Sequence, residues 1–272
     1  MVDAGQERAE HLSVADDVER MVALHGADTI AAVIVEPVPG STAVLPPPQN
    51  YLQRLRQACD KHGILLIFDE VITGFGRLGT PFAANFFGVT PDLMTTAKGI
   101  TNGTIPCGAV FASRKVHDGL MVGPENAMEL FHGYTYSAHP VSAAVALEVL
   151  RLYEDGLLEN GIKAGARLMA GLEGLSDHPL VGDVRGRGML AAIELVVDKK
   201  KKTPLPASAM PARRVFDRAW DNGLIIRAFA NGVLGYAPPL CCTDSDIDAI
   251  IERTRRTLDQ TLDDPDVRQA LA

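Results

Sequence analysis

Ile64-Leu65-Leu66-Ile67-Phe68-Asp69-Glu70 is the stretch whose reading decides the fold. Its unbroken apolar run suits a buried strand of a parallel sheet, and two carboxylates close it. Working backwards, Tyr51, Leu52, Leu55, Ala58 and Cys59 recur at helical spacing behind Pro46-Pro47-Pro48, and Gly63 stops that helix. Earlier still, the β-branched run Ala32-Val33-Ile34-Val35 reads as another buried strand, ending at Glu36-Pro37. Working forwards, Leu93-Met94-Thr95-Thr96 reads as a third strand that stops just before Lys98. Strand, helix and strand in this order imply a parallel or mostly parallel sheet covered by helices. The ligand crevice of such a sheet lies at the carboxyl ends of its strands. Glu36, Asp69 and Lys98 each fall just past a strand end, and that convergence is the first functional signal.

The pattern changes after Ser137. Residues 138–153 read as a long helix, 161–175 as a second, 184–197 as strand, 208–222 as helix, Leu224-Ile225-Ile226 as a short strand and 244–260 as a closing helix. This α+β remainder suggests a smaller second domain. Lys199 to Lys202 read as a solvated loop. The chain of 272 residues is 47% hydrophobic and 22% charged, an ordinary globular composition that argues against disorder, collagen and coiled coil. A formal charge of -8 disfavours nucleic acid and anionic membranes as partners. Cys59, Cys107, Cys241 and Cys242 form no C-x-x-C pair and read as reduced thiols of a cytoplasmic protein. Met1 to Gln6 carry no signal-peptide pattern, and no apolar run is long enough to span a membrane.

Several residues carry potential chemistry, each with a plainer alternative. Lys98, beside Gly99, is either a loop lysine or an amine able to form a Schiff base once its pKa is lowered. Asp69 is either a structural cap or ion-pair partner, or the partner of a protonated ring nitrogen. The Asp69-Glu70 pair could also suggest a metal, but His62 is seven residues earlier and no histidine lies at ligand spacing, so none is expected. His132 to Pro140 gather hydroxyls and two histidines before a helix. They suit either phosphate binding or simple N-capping by Ser137. Arg227 could grip a substrate carboxylate or form a surface ion pair. No G-x-S-x-G, Walker loop or G-x-G-x-x-G turn occurs.

Together these pieces resemble the class III aminotransferases that depend on pyridoxal 5'-phosphate (PLP). The resemblance covers nearly the whole chain. It rests on Leu66-Ile67-Phe68-Asp69-Glu70-Val71-Ile72-Thr73-Gly74-Phe75-Gly76-Arg77 followed by Asp92-Leu93-Met94-Thr95-Thr96-Ala97-Lys98-Gly99. It implies an α/β fold: the C-terminal part of the aspartate aminotransferase-like PLP-dependent transferase fold. Residues 1–155 would be part of the large PLP-binding domain and 156–272 the small C-terminal domain. By the same resemblance Lys98 is the Schiff-base lysine, Asp69 the pyridinium partner and Val71 a residue packed on the ring. Thr135 would bind the phosphate of the other subunit's cofactor in a homodimer, and Glu36 would form part of the site wall. The implied reaction is amino transfer from an amino donor to a 2-oxo acid, with Lys98 moving the proton.

Subclass is argued from departures. Ornithine- and 4-aminobutyrate-type members pair a glutamate with an arginine at positions occupied here by Ser41 and Gly235. Arg227 instead suits the ω-amino acid and amine:pyruvate transaminases, where an arginine holds the acceptor's carboxylate. Pro39 stands where many members carry a cofactor-contacting glutamine. Nothing before Ala31 resembles the family's N-terminal section with its phosphate loop and ring-stacking aromatic, so the chain is expected to be N-terminally truncated. A racemase or aminomutase on the same scaffold, and a non-catalytic dimerisation remnant, are the alternative readings.

Overall fold

The computed structural model describes residues 16–124, 132–206 and 211–271. The chain divides into two compact units. One holds the residues up to Val38, Pro47–Phe75 and Phe82–Glu154. The other holds Pro39–Pro46, Gly76–Pro81 and everything from Asp155 onward.

The first unit is built on a sheet flanked by helices. After α1 (Asp17–His25) come β1 (Ala32–Val35), α2 (Tyr51–His62), β2 (Leu65–Asp69), α3 (Ala83–Phe87), β3 (Leu93–Thr96), β4 (Ala109–Ala112), α4 (Arg114–Leu120) and α5 (Pro140–Leu152). The sheet order is β1-β2-β3-β4, with the first two pairings parallel and the last antiparallel. The α/β architecture and mostly parallel sheet of the sequence reading hold, with an antiparallel edge added. Side chains alternate across the pleat. Leu66 and Phe68 on β2, with Ile64 just before it, meet Leu52, Leu55 and Cys59 of α2 and Val89 in one buried cluster. Burying each of these large side chains contributes about 1.5–3 kcal/mol. Gly63, with φ +68°, ends α2 and donates to Asp60 and Cys59 carbonyls. At the amino ends of the strands, Asp92 accepts from Leu66 N–H (2.8 Å) and from Arg56 (2.7 Å). Burial pushes the Asp92 carboxyl up, but these donors outweigh it and hold the group below the usual carboxylate range.

The second unit contains α6 (Leu158–Glu173), β5 (Val181–Arg187), β6 (Leu190–Asp198), β7 (Thr203–Pro204), α7 (Pro211–Asp221), β8 (Arg227–Ala228), β9 (Val233–Tyr236), α8 (Asp244–Leu262) and α9 (Pro265–Leu271). Its sheet runs β5-β6-β9-β8, antiparallel throughout, and β7 pairs with β6. Three sequence expectations are corrected here. The stretch read as one strand over 184–197 is a hairpin of two strands. Its turn bends at Gly188 (φ +57°), where a Cβ would stand 2.8 Å from the Arg77 carbonyl oxygen. Leu224-Ile225-Ile226 is not a strand. Leu224 N–H donates to Ala219 O at the end of α7, and ladder pairing begins only at Arg227, opposite Gly235. Ser137 does not cap α5, whose N-cap is His139; its hydroxyl accepts from Tyr134 N–H instead. The first residues of the expected 208–222 helix, like Met1 to Gln6, lie outside the described residues. Lys199 to Lys202 are exposed.

His178, 4% exposed, closes the turn between α6 and β5. Its Nδ1 accepts from Leu180 N–H (3.2 Å), while Nε2 lies 3.4 Å from Asp259. Burial drives the imidazole below its ordinary 6.5; nearby Arg255 and Lys199 add to that, and Asp259 and Asp177 oppose it. The unfolded chain therefore takes up a proton that the folded chain refuses. Stability contributed by neutral His178 is full above pH about 6.5 and is lost as pH falls below it. The urea midpoint should drop on acidification through that window. His178→Asn, whose Oδ1 can still accept from Leu180, should flatten the drop, and an unaltered profile would refute the assignment.

Candidate active site

Because β1, β2 and β3 are parallel neighbours, their carboxyl ends share one edge of the sheet. Glu36 follows β1, Asp69 ends β2 and Lys98 follows β3. The register sets Asp69 opposite Thr95, three positions before Lys98. Asp69 is half-buried on the sheet face opposite α2. Its Oδ1 accepts from Val71 N–H at 3.0 Å, and its second oxygen carries no hydrogen bond from any described residue. That tight turn places Val71, also half-buried, directly beyond the carboxylate.

Glu70 goes the other way. It is fully buried, and its carboxylate accepts from Ala83 N–H (2.6 Å), Ala84 N–H (2.8 Å) and the Thr73 hydroxyl (3.1 Å). Burial pushes its carboxyl up, against the pull of those donors. Glu70 N–H donates to Thr95 O (2.9 Å), so this residue stitches the end of β2 both to β3 and to the start of α3. The two adjacent carboxylates thus have opposite duties: Glu70 is structural, and Asp69 is free to meet a ligand. The described residues contain no group of three or more His, Cys, Asp or Glu side chains suited to a metal ion.

Lys98 is exposed and opens a 3-10 turn, Lys98–Ile100, with φ +43°. A positive φ on a lysine costs about 1–3 kcal/mol and persists only where the surroundings hold it; such residues cluster at functional sites. The neighbours are packed for this shape. A Cβ on Gly99 would stand 2.8 Å from Phe75 Cβ, so only glycine fits. Phe75 itself has φ +58° and lies edge-on to Phe82 (5.3 Å between centroids) and stacked with Tyr153 (6.1 Å). Tyr153 donates to the carbonyl of Gly99 (2.9 Å) and reaches Asn102 Oδ1 (3.2 Å). Neither Phe75 nor Tyr153 was picked out as a supporting residue from the sequence. Phe75 sits inside the quoted motif, while Tyr153, 54 positions from Gly99, carries no local signal.

Two other candidates lie on other elements. Thr135 lies on an exposed turn before α5, between Tyr134 (77% exposed) and Tyr136 (79% exposed). Arg227 belongs to the second unit, on β8, with its guanidinium 5.4 Å from the Phe229 ring centroid. It is exposed. Across the ladder from it, a Cβ on Gly235 would meet Phe229 at 2.9 Å, so a long side chain at 235 would displace the aromatic ring under Arg227.

The donor set fits PLP. A carboxylate with a free oxygen suits a protonated ring nitrogen, and an exposed amine one strand away suits an aldehyde. Comparison with known proteins points the same way. The chain is 51% identical over 256 residues to an omega-aminotransferase of Caulobacter vibrioides, covering 93% of this chain and 56% of that protein. It is 42% identical over 260 residues to a beta-alanine–pyruvate aminotransferase of Pseudomonas aeruginosa, with the same coverages. Among solved structures, an (S)-enantioselective omega-transaminase from Thermomicrobium roseum superposes with a TM-score of 0.87 at 38% identity, covering 93% of this chain and 56% of that one. An omega-transaminase from Pseudomonas jessenii in complex with PMP gives 0.84 at 37%, again over 93% and 56%. The chain therefore spans a little over half the length of these relatives. The pattern of the aminotransferase class-III family matches residues 2–258, so the strand-end aspartate and lysine sit within a match that covers nearly the whole sequence. The chain belongs to the class-III aminotransferases.

Proposed function

We propose that the protein performs PLP-dependent transamination, moving an amino group from an ω-amino acid or amine to a 2-oxo acid such as pyruvate. The observation that carries this is the placement of Asp69 and Lys98 at the carboxyl ends of adjacent parallel strands, in register through Thr95. When bound, the cofactor supplies an electron sink for the charge that develops on the substrate carbon. Lys98 would hold it through Nζ, and that amine would take the proton from the amine-bearing carbon of the substrate and return it as an acid. Asp69 would keep a proton on the ring nitrogen, Val71 would pack on the ring, and Glu36 would form part of the wall. Arg227 grips the acceptor carboxylate. In this reading the unit that carries Asp69 and Lys98 is part of the large cofactor-binding domain, and the unit that carries Arg227 is the small C-terminal domain.

A homodimer is part of the proposal, with Thr135 reaching the phosphate of the other subunit's cofactor. α5 supports it. A helix that leaves several large apolar side chains open calls for cover. Here Val149 is its buried residue, while Val141 (54%), Leu147 (60%) and Leu152 (48%) are open. No described helix is long and apolar enough to cross a membrane. The reading places the protein in the cytoplasm.

The test is product balance. Supplied with PLP, pyruvate and β-alanine or a simple amine, the protein should form L-alanine and the donor's carbonyl product in equal amounts. Racemisation of added L-alanine with no carbonyl product would favour a racemase, and no turnover of any donor would sink the reading for this chain.

A further inference from the structure

We propose that Tyr153 is a positioning residue for Lys98: its hydroxyl pins the turn that carries the lysine, and so sets the direction of the amine. The proposal rests on reading Lys98 as the residue that holds the cofactor.

The turn holds itself in part: the buried Thr101 donates its hydroxyl to Ile105 O (2.7 Å). Its own backbone bonds are Ile100 N–H to Ala97 O (3.1 Å), Thr101 N–H to Lys98 O (3.3 Å) and Thr104 N–H to Thr101 O (3.0 Å), the middle one long. Within it Lys98, Asn102 and Gly103 all have positive φ, at +43°, +50° and +74°. A segment with so many left-handed residues relaxes unless it is tethered from outside. Tyr153 supplies such a tether from the C-terminal end of α5. The hydroxyl hydrogen goes to the Gly99 carbonyl at 2.9 Å, with Asn102 Oδ1 at 3.2 Å as the alternative acceptor. The same ring stacks on Phe75, which fills the space a Cβ of residue 99 would need. The residue following Lys98 is therefore held on its carbonyl side by the hydroxyl and on its Cα side by the aromatic pair. A lysine presented in one direction meets a bound aldehyde more often than one carried on a loose turn.

Tyr153→Phe removes the hydroxyl and keeps the stack. Two readouts in the full chain test the idea. Hydrogen exchange in the segment 97–105 should speed by about tenfold, the loss of one net hydrogen bond, with β2 unchanged. Borohydride trapping of added PLP on Lys98, followed by peptide mass spectrometry across a PLP concentration series, should reach half its plateau at a concentration roughly threefold to tenfold higher. A purely structural tyrosine would not move that midpoint. Tyr236→Phe is the control: it removes a buried hydroxyl bonded to Thr254 in the other unit and should leave both readouts alone. Exchange or a midpoint that matches wild type in Tyr153→Phe overturns the proposal, and so does an equal midpoint shift in Tyr236→Phe. If Tyr153→Phe does not fold, wild-type exchange in the segment 97–105 must be slower than in the exposed turn 199–202, or the idea is lost. The wild-type arm separates the two claims. An adduct absent from Lys98 defeats the cofactor reading and the proposal that rests on it. An adduct on Lys98 with an unmoved midpoint in Tyr153→Phe defeats the positioning role alone.

Discussion

Lys98→Ala is expected to abolish amino transfer, by on the order of 10³-fold or more, and to leave the fold intact. General acid–base work alone contributes about 10²–10⁴-fold, and here the same nitrogen also holds the cofactor. The loss should not come from unfolding. Lys98 is exposed, forms no hydrogen bond through its side chain with a described residue, and an alanine suffers the same positive φ as the lysine. Thermal midpoints of the two proteins should agree within a few degrees. Lys98→Arg is the sharper version, because a guanidinium keeps the charge and length but cannot shed its proton to become a nucleophile. Both variants should fail to trap PLP under borohydride at position 98. A wild-type adduct at another exposed lysine, such as Lys61 or Lys163, with none at Lys98, would reject the assignment.

That assignment could be read from sequence because parallel strands advertise themselves. β1, β2 and β3 are runs of apolar residues, and polar groups placed directly after them stand at the edge where ligands bind. The strand ends mark Asp69 and Lys98 as candidates, and the resemblance of the motif around them to the family supplies their roles. Elements whose edges depend on distant partners were not so legible. β4 is an antiparallel edge strand of four residues with Val110 66% exposed, too short to separate from a loop. The β5–β6 hairpin reads as one strand because its turn, Gly186-Arg187-Gly188, is set by how closely Gly188 approaches Arg77 and Leu78. Leu224-Ile225-Ile226 has the composition of a strand, but Leu224 and Ile226 are buried beside the end of α7, and the ladder starts one residue later. Tyr153 is the extreme case: nothing near it in the chain hints that its hydroxyl meets the lysine turn.

Asp69→Asn should separate holding the cofactor from using it. Asparagine keeps the size of the side chain, and its Oδ1 can still accept from Val71 N–H, so the turn after β2 should persist. What disappears is the charge. Asp69 has no basic partner among its hydrogen bonds, so its removal strands no cation and stability should change by less than about 0.5 kcal/mol. Toward the ring nitrogen, however, the amide NH2 donates where the carboxylate accepted. It therefore favours an unprotonated ring, which draws electrons weakly. Loss of one preorganised electrostatic contact of this kind costs about 10²–10³-fold in rate. Amino transfer should fall by that amount while PLP is still trapped on Lys98, because the bond between amine and aldehyde does not need the aspartate. Glu70→Gln should behave in the opposite way. Its carboxylate serves Ala83, Ala84 and Thr73 rather than a ligand, so an amide in its place should weaken the fold more than it changes chemistry in the molecules that remain folded. If Asp69→Asn transfers amino groups within a few-fold of wild type, the carboxylate is an element of the turn, and the ring-nitrogen partner must be sought elsewhere.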